Sequence, residues 1–160
     1  TRTLVVALEA EPFVHALRFG GRAAASRGNL ALGEYLGAFD LVELAASAAL
    51  ADAARAPTAP PPRVGGVRFL AWDASGQRLA VGWYPAPTTD GGGTSAQQVH
   101  LALLVTRTKP SLALDYAGSV VGHSRGAALA ALAFSASLPR GALLSACWDD
   151  GHISLLPMYF

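Results

Sequence analysis

The sequence predicts an all-β protein made of small antiparallel sheets that stack on one another. Three observations carry this prediction. Short apolar runs alternate with turn-forming residues, one strand–turn–strand layout recurs along the chain, and the strands carry apolar residues on both faces. A strand with two apolar faces has to lie between two other layers, because one face would otherwise remain exposed to water.

The first part of the chain, residues 1–56, begins with a predicted hairpin. The runs TLVVAL (3–8) and FVHALRF (13–19) flank a turn that contains Pro12. Residues 30–55 are ambiguous, because their apolar side chains have roughly helical spacing and Ala favours helix, while the segment DLVELAAS also suits a strand. The two strands of the hairpin look like the second and third strands of a unit.

A linker and a complete four-stranded unit follow. Residues 57–66 are predicted to form a linker, since three consecutive prolines exclude helix and sheet interior. The unit spans residues 67–121 and contains a flexible loop at 85–98. Its predicted strands are VRFLAW (67–72), RLAVGWY (78–84), VHLALLVTRT (99–108) and SLALDYAGSVV (111–121).

The last unit, residues 127–160, repeats the layout of the one before it. FLAWDASGQRLAVGW and LAFSASLPRGALLSACW both contain an apolar strand ending in an aromatic residue, a polar turn, and an apolar strand ending in Trp. Only three strands are predicted in this unit: AALAALAF (127–134), ALLSACW (142–148) and HISLLPMYF (152–160). The outer strand is therefore expected to be missing.

The repeat indicates a WD40-type β-propeller, whose unit of roughly 40–45 residues would here carry inserted loops. Gly122 and His123 stand between an outer strand and the next inner strand, where WD repeats place a Gly-His pair. Asp149 and Gly151 stand in the tight turn between the second and third strands of a unit. The three tryptophans are predicted to anchor the core or blade edges: Trp72, Trp83 and Trp148.

The segment GHSRG (122–126) also fits the G-x-S-x-G pattern of a serine hydrolase, with Ser124 as nucleophile and Asp150 and His152 as partners. In such hydrolases the serine lies on a sharp turn called the nucleophile elbow. This turn needs a parallel strand before it and a helix after it. Asp150 and His152 lie within one short turn, with no room for the crossover elements that bring a triad together. The propeller interpretation is preferred, so 127–134 is predicted to be a strand and the protein is predicted not to be an enzyme.

The amino-acid composition narrows the possible classes of function. The net charge is +1 and charged residues make up 14% of the chain, which argues against direct nucleic-acid binding. The single cysteine, Cys147, excludes an internal disulfide and a Cys-cluster zinc site. His15, His100 and His152 lie in or beside apolar strands and are predicted to be packed or hydrogen-bonded. No cofactor or metal is expected.

Four segments resemble the aladin family of WD-repeat nucleoporins, in the same order. They are LVVALEAEPFVHALRF (4–19), FLAWDASGQRLAV (69–81), LALLVTRTKPSLALDYAGSVVG (101–122) and RGALLSACWDDGHISLLPMYF (140–160). The segments 20–66 and 84–98 match poorly. The resemblance implies a C-terminal fragment of the propeller, about two and a half blades long, with a strand at about 40–46.

The family resemblance further implies a non-catalytic scaffold of the nuclear pore complex at the nuclear envelope. Its expected partners are other nucleoporins, including a transmembrane one that holds it at the membrane, and its expected process is nucleocytoplasmic transport. The family offers no catalytic residues to transfer. A WD-repeat adaptor of another assembly is the remaining alternative.

Overall fold

A computed structural model describes residues 2–8, 11–19, 34–41, 43, 64–85, 100–107, 112–121, 127–135, 138 and 140–159. These residues form ten β-strands, and every strand pair is antiparallel. The strands are β1 (Arg2–Ala7), β2 (Phe13–Phe19), β3 (Glu34–Asp40), β4 (Val64–Trp72), β5 (Arg78–Pro85), β6 (His100–Arg107), β7 (Ala113–Val121), β8 (Leu129–Phe134), β9 (Gly141–Trp148) and β10 (Ile153–Tyr159). The predicted all-β fold class is confirmed.

The strands form three sheets in chain order. Sheet 1 has the order β1-β2-β3, sheet 2 the order β4-β5-β6-β7, and sheet 3 the order β8-β9-β10. Each sheet is a meander in which strands that are neighbours in sequence pair with each other. The predicted hairpin of β1 and β2 is confirmed, and residues 129–134 form a strand and not a helix.

Sheets 2 and 3 repeat the same pairing register. Val67 pairs with Trp83 and Leu129 pairs with Trp148, and each pair is followed by a register shift at the same place. Beyond the shift, Trp72 and Phe134 are paired with Leu79 and Leu144. The recurring layout read from the sequence is therefore a structural repeat that includes the same β-bulge.

The core consists of two apolar layers, one on each face of sheet 2. On β5, Leu79, Val81 and Trp83 pack in the layer shared with sheet 1. Ala80, between them, belongs to the layer shared with sheet 3. Gly82 lies on that second face as well, where an added Cβ would be 3.1 Å from Leu129 Cδ2. Sheet 2 is thus buried on both sides, as its two-faced apolar strands predicted.

The strand expected at about 40–46 was wrongly placed. The strand is β3, which ends at Asp40, and Leu41 and Glu43 are helical. Leu41 is buried, and its backbone N–H donates to the Pro12 carbonyl at 2.9 Å, so the chain leaves sheet 1 at this point. A bulge opposite Ala16 and Leu17 lets Gly37, with φ +139°, stay in the strand.

The strand expected to begin at Val67 begins at Val64 instead, within the segment expected to be linker. Val64 pairs with Pro85, at the end of β5. Pairing with β5 therefore extends the sheet past Gly65 and Gly66, which local composition had assigned to the linker.

Candidate functional site

The turn between β9 and β10 holds the acidic residues singled out in the sequence. Asp149 Oδ1 accepts the Ala128 backbone N–H at 2.9 Å, and the Asp149 N–H donates to the Ala128 carbonyl at the same distance. Gly151 has φ +87°, a conformation that glycine adopts without strain. The turn is thereby fastened to the residue that precedes β8, so Asp149 links two connections at one end of sheet 3.

Trp148 and His152 bracket this turn. The Trp148 indole N–H donates to Ser154 Oγ at 2.9 Å, and its backbone N–H donates to the His152 carbonyl at 2.9 Å. The His152 Nδ1 atom lies 3.5 Å from Asp150 Oδ1, with both side chains at least partly exposed. Asp150 also accepts the His152 backbone N–H at 3.1 Å. Asp150 and His152 therefore shape the hairpin tip.

Among the described residues that follow Ser124, the structure has a strand in place of the helix that the serine hydrolase hypothesis requires. Gly122, His123 and Ser124 lie outside the described residues. The elbow requires a helix soon after the serine, and β8 begins at Leu129 as an antiparallel partner of β9. A strand at the edge of sheet 3 therefore lies where the hydrolase would require its helix.

A buried aspartate in the β4–β5 turn is a feature that the sequence interpretation had treated only as a turn residue. Asp73 is 7% exposed, and its Oδ1 accepts the backbone N–H groups of Gln77 and Arg78 at 2.8 and 2.7 Å. Its Oδ2 accepts the Ser75 N–H at 3.2 Å and also the Ser75 hydroxyl. An Asp at the start of a turn is the signal that would have indicated this network.

The same turn is attached to β6 through a buried threonine. Thr106 Oγ1 accepts the Trp72 indole N–H at 3.2 Å and donates to the Gly76 carbonyl. The Thr106 backbone N–H donates to the Gln77 carbonyl at 2.8 Å. Trp72 therefore has a hydrogen-bonding role as well as packing against the core, while Trp83 and Trp148 are each 3% exposed.

His15 is hydrogen-bonded on the outer face of sheet 1. Its Nδ1 lies 3.2 Å from the Tyr35 hydroxyl and its Nε2 lies 3.3 Å from Glu11 Oε2. The Phe13 ring lies beside it, with ring centroids 6.4 Å apart and the two planes tilted by 51°. Both ring nitrogens thus have protein partners, as predicted for a structural histidine.

No group of three or more potential metal ligands occurs among the residues that the structure describes. No helix there is long and apolar enough to span a membrane. Arg107 forms an exposed ion pair with Asp115 at 2.8 Å.

Large apolar side chains are exposed on sheets 1 and 3. Sheet 1 exposes Leu4, Leu8 and Tyr35, and sheet 3 exposes Ile153, Leu155 and Tyr159. Exposed apolar patches of this kind usually mark contacts with other protein surfaces. These exposed side chains of the described residues are therefore candidates for contacts with other proteins.

Comparison with curated proteins shows a partial similarity to a nucleoporin. No protein-family model matches the chain. The protein named Aladin from Arabidopsis thaliana is 30% identical over 95 residues, which cover 59% of this chain. The similarity supports a distant relationship to aladin. The matched residues amount to 20% of the relative, so the chain spans only about a fifth of the length of aladin.

Proposed function

We propose that the protein is a non-catalytic propeller scaffold of the nuclear pore complex. In this role it is held at the nuclear envelope by a transmembrane nucleoporin, binds other nucleoporins and supports nucleocytoplasmic transport. The observation that carries the proposal is the stack of three repeated sheets in a chain that is similar to aladin. Stacked sheets supply broad, rigid surfaces, which suit a scaffold.

The side chains support a structural role. The buried polar side chains, Asp73 and Thr106, are used to fasten a turn to its sheet. The Asp150–His152 pair lies at an exposed hairpin tip, where solvent screens it. Such groups stabilise loops and have no geometry for activating a nucleophile.

Localisation and proximity labelling in cells of the protein's own source organism test the proposal. The full chain, fused to a fluorescent protein and a biotin ligase, is expected to mark the nuclear rim. It is also expected to biotinylate nucleoporins, a transmembrane one among them. The matched control carries Leu144→Asp, which places a charge at a fully buried position between sheets 2 and 3 and should abolish both signals.

The same experiment separates the alternatives. A wild-type fusion that spreads through the cell and labels nucleoporins no more than the Leu144→Asp variant does would contradict the nuclear pore role. Strong labelling of another assembly's subunits would favour a WD-repeat adaptor. Labelling of the purified chain by a fluorophosphonate, abolished by Ser124→Ala, would favour a serine hydrolase.

A further inference from the structure

Three arginines lie at the strand ends of sheets 2 and 3. Arg78 is the first residue of β5, and Arg107 is the last residue of β6. Arg140 stands between β8 and β9, immediately before β9 begins. Arg78 is half-buried, while Arg107 and Arg140 are exposed. We call the surface formed by Arg78, Arg107 and Arg140 the arginine end.

The packing of sheet 3 on sheet 2 places all three arginines at the same end of the two sheets. A Cβ added at Gly82, late in β5, would be 3.1 Å from Leu129 Cδ2, and Leu129 is the first residue of β8. β8 therefore starts near the end of β5. The connection from β8 to β9, which carries Arg140, consequently lies at the end of the stack where β5 starts with Arg78.

Arg78 and Arg107 lie on the face of sheet 2 that packs against sheet 3. Ala80 packs in the layer shared with sheet 3, and Arg78 precedes it by two residues, so both lie on that face. Arg78 pairs with Val105 of β6, and Arg107 follows Val105 by two residues, again on the same face. Diagonal neighbours of this kind lie about 7 to 8 Å apart. The two arginines of sheet 2 and Arg140 of sheet 3 therefore border one junction between sheets.

The arginine end already holds a carboxylate. Arg107 Nη2 donates to Asp115 Oδ2 at 2.8 Å, with the two side chains 64% and 53% exposed. Arg78 Nη1 donates to the Gln77 carbonyl at 3.0 Å. A guanidinium carries five N–H donors and can hold more than one acceptor. The other acidic residue at this end, Asp73, is buried and accepts hydrogen bonds from its own turn.

The opposite end of sheet 3 carries negative charge. Asp149 and Asp150 lie in the turn between β9 and β10, and both residues are exposed. The residues of this turn, 149–152, include no Lys or Arg. An anionic partner is therefore attracted to one end of the sheet and repelled from the other, which orients its approach.

We propose that the arginine end binds an acidic segment of a partner protein, whose Asp and Glu carboxylates accept hydrogen bonds from Arg78, Arg107 and Arg140. The planar fork of a guanidinium matches a carboxylate, and Asp115 shows that this surface accommodates one. Nucleic-acid binding uses about six to ten phosphate contacts and anionic membranes about four to eight basic residues, more than this end supplies among the described residues. The inference goes beyond the scaffold role and does not depend on the nuclear pore assignment.

Fluorescence anisotropy of the full chain with a defined peptide tests the proposal. The probe is a short fluorescein-labelled peptide of alternating Glu and Ser, and the reference peptide has Gln in place of each Glu. The wild type is expected to bind the Glu peptide and not the Gln peptide. Binding is expected to weaken as NaCl is added, because salt screens exposed charges.

Single substitutions locate the binding surface. Arg78→Gln and Arg140→Gln are each expected to weaken binding about two- to fivefold, and the double variant about tenfold. Arg68→Gln is the matched control, because it removes the same charge from the middle of β4, where Arg68 lies 5.5 Å from the centroid of the Tyr84 ring. It is expected to bind the Glu peptide as the wild type does. Far-ultraviolet circular dichroism checks that every variant keeps the β fold.

Several outcomes would overturn the proposal. A wild type that binds neither peptide, or both equally, would exclude recognition of carboxylates. Equal weakening by Arg68→Gln and Arg140→Gln would show that only net charge matters. Single-stranded RNA or phosphatidylserine vesicles that bind more tightly than the Glu peptide, and lose affinity in the double variant, would assign the arginine end to another class of ligand. Localisation at the nuclear rim is measured separately and is not affected by these results.

Discussion

The close approach of β9 and β10 makes Gly141 the most informative position for a single substitution. A Cβ added there would lie 2.5 Å from the Met158 carbonyl oxygen and 3.3 Å from Leu138 Cδ2. Reaching an ordinary contact of 3.4 Å would require the two strands to separate by about 0.9 Å at this point. The obstacle is backbone, which cannot move aside as a side chain does.

The expected cost of Gly141→Ala follows from that geometry. Overpacking of this size costs about 1 to 3 kcal/mol. Urea slopes for small proteins are about 1 to 3 kcal/mol per molar, so the unfolding midpoint is expected to fall by about 1 M. Urea titration at one fixed protein concentration, followed by the fluorescence of the buried Trp83 and Trp148, measures the change.

Gly118→Ala is the matched control. Gly118 lies in β7, and an added Cβ there meets nothing within 4 Å. The substitution is expected to be neutral or to stabilise by about 0.4 to 1 kcal/mol, because Ala restricts the unfolded chain. Equal midpoints for the two variants would refute the reasoning about the β9–β10 approach.

Three further predictions test the core and the turns. Leu101→Ala is expected to lower the free energy of unfolding by about 2 to 5 kcal/mol. Ile153→Ala, at the equivalent exposed position, is expected to change it by less than about 0.5 kcal/mol in dilute, monomeric protein. Similar losses for the two variants would contradict the repeat. Asp73→Ala is expected to lower the free energy of unfolding, measured by thermal denaturation, by about 1 to 3 kcal/mol, and Asp73→Asn is expected to have a smaller effect. An unchanged melting temperature would argue against the hydrogen-bond network of this turn. A double-mutant cycle of Trp148→Phe and Ser154→Ala is expected to give about 0.5 to 1.5 kcal/mol of coupling, and additive effects would show that their hydrogen bond contributes nothing.

The strands with two apolar faces could be predicted from the sequence because their pattern is local. RLAVGWY and ALLSACW end in aromatic residues after a turn, and the structure places them as β5 and β9 in equivalent registers. The register itself, with its shared bulge, depends on which strand pairs with which. That information lies in contacts between segments that are distant in sequence.

The position of the strand β3 was predicted wrongly. Its residues, EYLGAFD, include Gly and Asp, which strands usually avoid, and the family resemblance had placed the strand at about 40–46. Pairing with β2 overrides these preferences, and burial of Leu41 ends the strand. The residue pattern within one segment does not show which strand that segment pairs with. The position of β3 could therefore not be predicted from its own residues.

The hydrogen bonds of the turns could be predicted from the sequence only in part. An Asp followed by Ser and Gly in DASGQ is typical of a turn that caps its own backbone, so the Asp73 network had a local signal. The attachment of that turn to Thr106 had none, because it joins residues 30 positions apart. The link from Asp149 to Ala128 likewise depends on how β8 and β9 pair.

Amide hydrogen exchange tests most directly the claim that sheet 2 lies between two covering layers. Peptides from β5 are expected to exchange most slowly, since Leu79, Ala80 and Val81 are buried on both faces and β5 pairs with both β4 and β6. Peptides from β10, whose exposed face carries Ile153 and Leu155, are expected to exchange faster in dilute, monomeric protein. Exchange in β5 as fast as in β10 would contradict the three-sheet stack.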